Sequence, residues 1–372
     1  MNALRRLLCL TTLILAAVTP LHGSERLTGT SDASVPETHM PQADAIENSV
    51  PQRDEQDRSA DMTGYTHYQL GDPTAPRPAQ TAPGLLLMGG GERNYAALRW
   101  FLRKAGHGRI VVLRASQAGE IGEEFYRDVG GTTFVETYVF SNREAAYASA
   151  VLRSLRAADG IFIAGGDQSR YVRYWRGTPV AQALNAHVRA GKPLGGTSAG
   201  LAILGEYLYG AMDGGSQVSQ DALADPLGPA NTIETDFLRL DLLRGVVTDT
   251  HFSERNRLGR LIAFLTKAES LAGDERALIG LGVDEDAAVA VGADGRARVY
   301  ALQPQAGAHV VRGGFTRSQV KNRPMQLDQV EVIGVGTQST LFLPQGKVKA
   351  PAFLRQYRIR DGVLAEITAQ KT

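Results

Sequence analysis

Asp159-Gly160-Ile161-Phe162-Ile163-Ala164-Gly165-Gly166-Asp167-Gln168 is a short apolar run that stops on two adjacent glycines and then turns polar. A run that is apolar at every position, not at every second one, is what a strand covered on both faces requires. Two further stretches share this layout. Gly84-Leu85-Leu86-Leu87-Met88 leads into Gly89-Gly90-Gly91, and Arg109-Ile110-Val111-Val112-Leu113 leads into Arg114-Ala115-Ser116. Between and beyond these runs the spacing of apolar residues predicts helices over residues 94–104, 143–157, 180–190 and 254–267. Alternation of strand and helix predicts an α/β fold with a doubly wound, mostly parallel sheet.

Outside this region the character changes. Beyond Val283 short strands and turns take over, with runs at 297–302, 330–335 and 357–364, the last broken by the hairpin pair Asp361-Gly362. An antiparallel β extension over residues 294–372 is therefore expected to follow an α/β domain over 84–293. Residues 24–83 are rich in Ser, Thr, Asp, Glu, Gln and Pro and read as a flexible leader. Residues 1–23 place Arg5 and Arg6 before the apolar stretch from Leu7 to Val18, then Pro20 and the small Gly23. This is the layout of a secretory signal peptide, too short to span a membrane, so a secreted or periplasmic protein is expected.

Composition narrows the chemistry. Forty basic residues against 39 acidic ones leave no broad field for nucleic acid or an anionic membrane. The single cysteine, Cys9, lies inside the apolar stretch, so the exported chain would have neither disulfides nor thiol chemistry, and a zinc site is not expected.

Ligands of open α/β sheets bind beyond the carboxyl ends of the strands, and three such loops stand out. In Gly196-Thr197-Ser198-Ala199-Gly200, glycines flank a serine between a short strand and an apolar helix, the setting of an exposed nucleophile. The helix N-terminus offers the N–H of Ala199 to a developing oxyanion, and the glycine turn offers those of Gly166 and Asp167. His251, in Asp249-Thr250-His251-Phe252, follows the strand-like Gly245-Val246-Val247-Thr248 and precedes a helix capped by Ser253. An imidazole there can take the serine proton and return it to the leaving amine. His309 is the rival base. For the acid that orients the histidine, Glu285 in Gly282-Val283-Asp284-Glu285-Asp286 is favoured, with Asp213 as the alternative.

Gly-Gly-Asp-Gln, then Gly-Thr-Ser-Ala-Gly about 30 residues later, then Asp-x-His-Phe with Arg-Asn-Arg-x-Gly-Arg, together resemble the cyanophycinases and their relatives among the peptidase E-like serine peptidases. The likeness runs from about Gly84 to Ala290. It implies a fold similar to class I glutamine amidotransferases, no cofactor, and exopeptidase cleavage of cyanophycin, multi-L-arginyl-poly-L-aspartate, into β-Asp-Arg dipeptides through an acyl-enzyme. Under it Ser198 is the nucleophile and His251 the base, while Gln168, Asp249, Arg255, Arg257 and Arg260 match the substrate-binding segment. Where the family commonly has glutamine before the histidine, this chain has Thr250, a shorter side chain with one amide contact fewer. Other aspartyl or isoaspartyl peptides are thus an alternative substrate, and a non-hydrolytic binding protein of the same fold a further one. The expected partner is a peptide, with no nucleic acid and no membrane once the signal is removed. A homodimer is compatible with the sequence.

Overall fold

The computed structural model describes residues 64–116, 121–272, 277–315 and 319–367. The expected signal peptide and most of the expected leader lie outside the described residues. In chain order the strands are β1 (Tyr65–Gly71), β2 (Gly84–Met88), β3 (Arg109–Arg114), β4 (Phe134–Phe140), β5 (Gly160–Ile163), β6 (Leu194–Thr197), and the short β7 (Leu208–Tyr209) and β8 (Ile233–Glu234). They continue with β9 (Val246–Asp249), β10 (Ile279–Val283), β11 (Ala287–Gly292), β12 (Arg296–Ala301) and β13 (Ala308–Arg312). The last are β14 (Leu327–Val335), β15 (Thr340–Phe342), β16 (Lys347–Lys349), β17 (Phe353–Arg360) and β18 (Val363–Glu366). The α-helices are α1 (Tyr95–Lys104), α2 (Ser149–Ala157), α3 (Gln168–Trp175), α4 (Pro179–Arg189), α5 (Ala199–Ala202), α6 (Ser219–Ala224) and α7 (Leu258–Ala272).

The first sheet has the order β1-β4-β3-β5-β6-β2-β11-β12-β15-β16. Its centre, β4-β3-β5-β6-β2, is parallel, and antiparallel strands flank it on both sides. The expected α/β fold with a parallel central sheet is present, and the reason β2, β5 and the inner positions of β3 are apolar without a break is visible in their packing. Leu85, Leu87, Val111, Leu113, Ile161 and Ile163 point to the face covered by α2, α3 and α4. Their neighbours Leu86, Met88, Ile110, Val112 and Phe162 point to the face covered by α1, through Leu98, Phe101 and Leu102. Strand side chains alternate between faces, so a sheet with helices on both sides needs apolar residues at every position.

Three expectations change. Residues 65–71, placed in the leader, form β1, which pairs antiparallel with β4 from Tyr65↔Phe140 to Gly71↔Phe134. As an edge strand it is held by backbone hydrogen bonds with side chains half exposed, so it needs no apolar run. The leader's end is also anchored, since the Arg77 guanidinium is hydrogen-bonded to the buried Asp159. Second, the β-rich tail, antiparallel as expected, is divided between two sheets. β12, β15 and β16 prolong the first sheet, whereas β13, β14, β17 and β18 complete a second sheet, order β18-β17-β14-β13-β10-β9, begun by β9 and β10 of the α/β region. Third, the helix expected from residue 254 begins at Leu258. His251 (φ 46°) and Asn256 (φ 50°) are left-handed, and the chain between them closes a turn through Arg257 N–H to Phe252 C=O, 2.9 Å.

The chain leaves β10 in the second sheet and enters β11 in the first through Asp284-Glu285-Asp286, with Asp286 at φ 59°. This three-residue turn lies at the same end as the loops that follow β2, β5, β6 and β9.

Candidate active site

Ser198 sits between β6 and α5 with φ 51° and ψ −121°, a backbone conformation that a residue with a side chain rarely adopts. Surrounding bonds hold it there: its N–H donates to Met88 C=O (3.0 Å), and its C=O accepts from Ala202 N–H (2.9 Å). The flanking glycines are required by close approach. A Cβ on Gly196 would lie 2.5 Å from Gly200 O, and one on Gly200 would lie 2.1 Å from Ile163 O. The sharp turn directs Ser198 Oγ to His251 Nε2, 2.6 Å away.

His251 is fixed just as tightly. Its N–H donates to Gly89 C=O (2.9 Å), and its ring occupies the space a Cβ on Gly90 would fill, 2.2 Å from Cε1. The glycine run after β2 thus forms the wall of the imidazole. Nδ1 lies 2.5 Å from Glu285 Oε1, so serine, histidine and glutamate form a continuous chain of hydrogen bonds. Of the two acids considered, Glu285 occupies this place. Asp213 does not: both ring nitrogens have other partners, and its carboxylate accepts from Gly215 N–H within its own exposed loop. His309 is no base for the serine either. Its Nε2 lies 3.0 Å from both carboxylate oxygens of Asp284 and 3.2 Å from Ser253 Oγ. Asp284, buried, also accepts from the N–H groups of Ser253 and Gly307, each at 3.0 Å, and so ties the turn after His251 to the turn that bears Glu285. Its acidity is set by opposing effects: burial raises the pKa, but the hydrogen bonds and charge of His309 outweigh that, and the carboxyl stays below its usual range.

Burial pushes the His251 imidazole below its ordinary pKa of 6.5; the Glu285 hydrogen bond opposes this, and the Arg255 and Arg257 guanidiniums reinforce it. The ring is therefore neutral at pH 7 and free to accept a proton.

The backbone at Gly165-Gly166 runs beside the serine, since a Cβ on Gly165 would lie 3.4 Å from Ser198 Cβ. Gly166 and Ala199 accordingly present N–H groups at this end of the sheet, Ala199 from the first turn of α5, where no intrahelical acceptor exists. Asp167 departs from expectation. Its N–H donates to Ser116 Oγ (3.0 Å), and its carboxylate caps α3 through Ser169 N–H (2.9 Å). The hydroxyl that takes up this N–H belongs to Ser116, which carried no motif of its own.

A cleft of about 420 Å³ opens in front of Ser198, lined by Gln168, Arg173, Thr250, Arg255 and Arg257 among others. Arg173, on α3, was invisible to sequence reasoning, because one arginine on an amphipathic helix looks like a solvated face. Two of the expected binding residues stay out of the cleft. Asp249 and Arg260 are each 2% exposed and face each other in a two-pronged pair, Nε to Oδ2 at 2.8 Å and Nη2 to Oδ1 at 2.5 Å. Arg260 is further enclosed by the Tyr209 and Phe264 rings. A carboxylate and a guanidinium that satisfy each other in the interior are not available to a ligand. Arg257, half in this cluster, donates Nη1 to Thr250 C=O (2.7 Å) and Oγ1 (3.3 Å) and lies 3.7 Å from Asp249. Burial lowers its pKa to about 10, so it remains charged at neutral pH. Thr250, which stands where the resemblance anticipated glutamine, thus serves to hold Arg257.

Among the described residues no three His, Cys, Asp or Glu side chains gather closely enough to hold a metal ion. No described helix is long and apolar enough to cross a membrane.

The model of "Peptidase family S51" matches residues 85–297, a span that includes Ser198, His251 and Glu285. Cyanophycinase of Trichormus variabilis is 31% identical over 228 residues, covering 59% of this chain and 70% of its own length. Cyanophycinase of Synechococcus elongatus is 36% identical over 182 residues, 49% of this chain and 51% of its own. Among solved structures, a peptidase from an acI-B1 Actinobacterium aligns with 66% of this chain and 98% of its own at 18% identity, with a TM-score of 0.44.

Proposed function

The chain belongs to peptidase family S51 and is a serine-type peptidase, and from that premise we propose that it is an exported, cyanophycinase-like exopeptidase whose hydrolysis runs through Ser198, His251 and Glu285. The observation that carries the assignment of roles is the unbroken hydrogen-bond chain, 2.6 Å from Ser198 Oγ to His251 Nε2 and 2.5 Å from Nδ1 to Glu285. Neutral His251 takes the hydroxyl proton as Oγ attacks the carbonyl carbon, and the N–H groups of Gly166 and Ala199 receive the negative charge that develops on its oxygen. Glu285 accepts from Nδ1–H and stabilises the imidazolium. That imidazolium then protonates the leaving amine, and a water molecule activated by the same nitrogen hydrolyses the acyl-enzyme.

Cyanophycin suits the cleft's charges. Each repeat carries a free carboxylate and a guanidinium, and the lining supplies Arg173, Arg255 and Arg257 for the first and the half-exposed Asp167 for the second. Incubation of the purified protein with cyanophycin is expected to release β-Asp-Arg, detected by chromatography. Ser198→Ala is expected to lower the rate by at least about a thousandfold with an unchanged circular dichroism spectrum. Undiminished release by that variant would remove Ser198 from the mechanism.

A second reading, other aspartyl or isoaspartyl peptides, is favoured by Thr250 and by the engagement of Asp249 and Arg260 with each other. Cleavage of isoaspartyl dipeptides without cleavage of cyanophycin would select it. Export rests on residues 1–23 and is tested by sequencing the N-terminus of the protein recovered outside the cytoplasm.

A further inference from the structure

Next to the cleft, on the face of the second sheet, lies a groove of about 260 Å³. Its floor is a ladder of rings. The Arg355 guanidinium lies 4.7 Å from the Phe353 ring centroid, Phe353 lies 5.7 Å from His309, and His309 lies 4.9 Å from Phe252, the residue that follows His251. Gly334, opposite Phe353 in β14, makes this possible: a Cβ there would stand 2.4 Å from the Phe353 ring. Phe353, Arg355 and Tyr357 alternate along β17 and so share one face. The far wall is the turn that ends in Arg257, whose side chain also lines the catalytic cleft. Arg257 is therefore the residue that the two depressions share.

The groove is cationic as well as aromatic. Arg257 and Arg355 line it, and no acidic side chain does. His309 and Arg257 are answered by carboxylates behind the surface, Asp284 and Asp249. Arg355 meets the neighbouring Tyr357 side chain, and Glu366 at 3.8 Å with both of these charged side chains half exposed, contacts that leave guanidinium N–H groups open to a ligand. His309, Val332, Phe353, Arg355 and Tyr357 all lie beyond residue 297, where the family match ends.

We propose that this groove is a second peptide-binding subsite, built by the C-terminal strands, which takes a carboxylate-bearing residue of the substrate beyond the one held beside Ser198. The inference rests on the peptidase reading of the cleft. A chain that passes over Arg257 lays its backbone on the Phe353 and Tyr357 rings and its carboxylate on Arg355, so an acidic peptide of several residues spans both sites and a dipeptide fills only the first.

The test separates this from turnover. Calorimetric titration of the Ser198→Ala protein with tetra-aspartate, di-aspartate and tetra-asparagine measures binding without cleavage. Arg355→Glu is expected to weaken tetra-aspartate about tenfold and leave di-aspartate unchanged, and Arg355→Lys is expected to recover most of the loss. Tetra-asparagine is expected to bind more weakly than tetra-aspartate and to ignore position 355. Equal binding of the two tetrapeptides, absence of tetra-aspartate binding, or no response to Arg355→Glu would overturn the subsite. Failure of wild-type protein to cleave aspartyl peptides would instead count against the role given to Ser198.

Discussion

Ser198 and His251 are both held at positive φ, and both are held by the same stretch of backbone. Met88 C=O accepts from the serine N–H and Gly89 C=O from the histidine N–H, so the two reacting side chains are referenced to one strand end, independent of either loop's length. The arginines at the cleft do more than meet anions, because Arg255 and Arg257 also lower the pKa of His251. The base must be neutral to act, so the acid limb of kcat/KM is expected below pH 6.5. Arg255→Met removes one of the charges that keep the ring neutral and is expected to move that limb to higher pH. A pH profile of kcat/KM for the two proteins checks this, and a limb that stays in place would assign the shift to burial and Arg257 without Arg255. At this scale the sequence was legible where geometry is encoded by small residues around a reactive one, as in Gly196-Thr197-Ser198-Ala199-Gly200. It was opaque where two like-looking charges have different fates. Arg255 and Arg260 lie in one segment, and only the fold decides that the first reaches the cleft while the second is spent on Asp249.

That buried pair belongs to the level of elements, since it fastens α7 to the end of β9, the strand that delivers His251. Removing one partner strands the other charge in the interior. Arg260→Met is therefore expected to cost about 3–5 kcal/mol of stability, read as a lower urea midpoint, whereas a role in substrate recognition would raise KM and leave the midpoint in place. The elements that could be read in advance are those whose burial writes a pattern. β2, β5 and the Ile110 to Leu113 stretch of β3 are covered on both faces and are apolar at every position, and α1 carries its Asn94 cap, which accepts from Ala97 N–H. β1 is written mainly in backbone hydrogen bonds, and Tyr65-Thr66-His67-Tyr68-Gln69 offers little to distinguish an edge strand from a tail. The helix after His251 was placed too early because its start is decided by left-handed residues, whose conformation composition does not reveal.

For the molecule as a whole, the family match ends at residue 297, but the fold does not. Leu281 and Val283 of β10 pack with Val310 and Val335 from the C-terminal strands. A chain cut after residue 297 would leave β9 and β10 as a bare pair, with His251 and Glu285 at its end. Such a chain is expected to lose its near-ultraviolet circular dichroism and its activity together, and retention of a cooperative thermal transition would show that the tail is dispensable to the fold. The second sheet could not be foreseen from local pattern, because its strands come from two distant parts of the sequence and only their pairing reveals that they form one layer.

The turn between β10 and β11 sets two carboxylates in succession to work on different partners, Asp284 on His309 and Ser253 and Glu285 on His251. Consecutive residues point in different directions, so their identities depend on where counting begins. Deleting one codon just before this turn would carry Glu285 into the place of Asp284, and inserting one would carry Asp284 into the place of Glu285, while a substitution at a single site would leave the second acid correctly directed. In a library of variants across this segment, length would be the inherited quantity under strictest selection, ahead of composition.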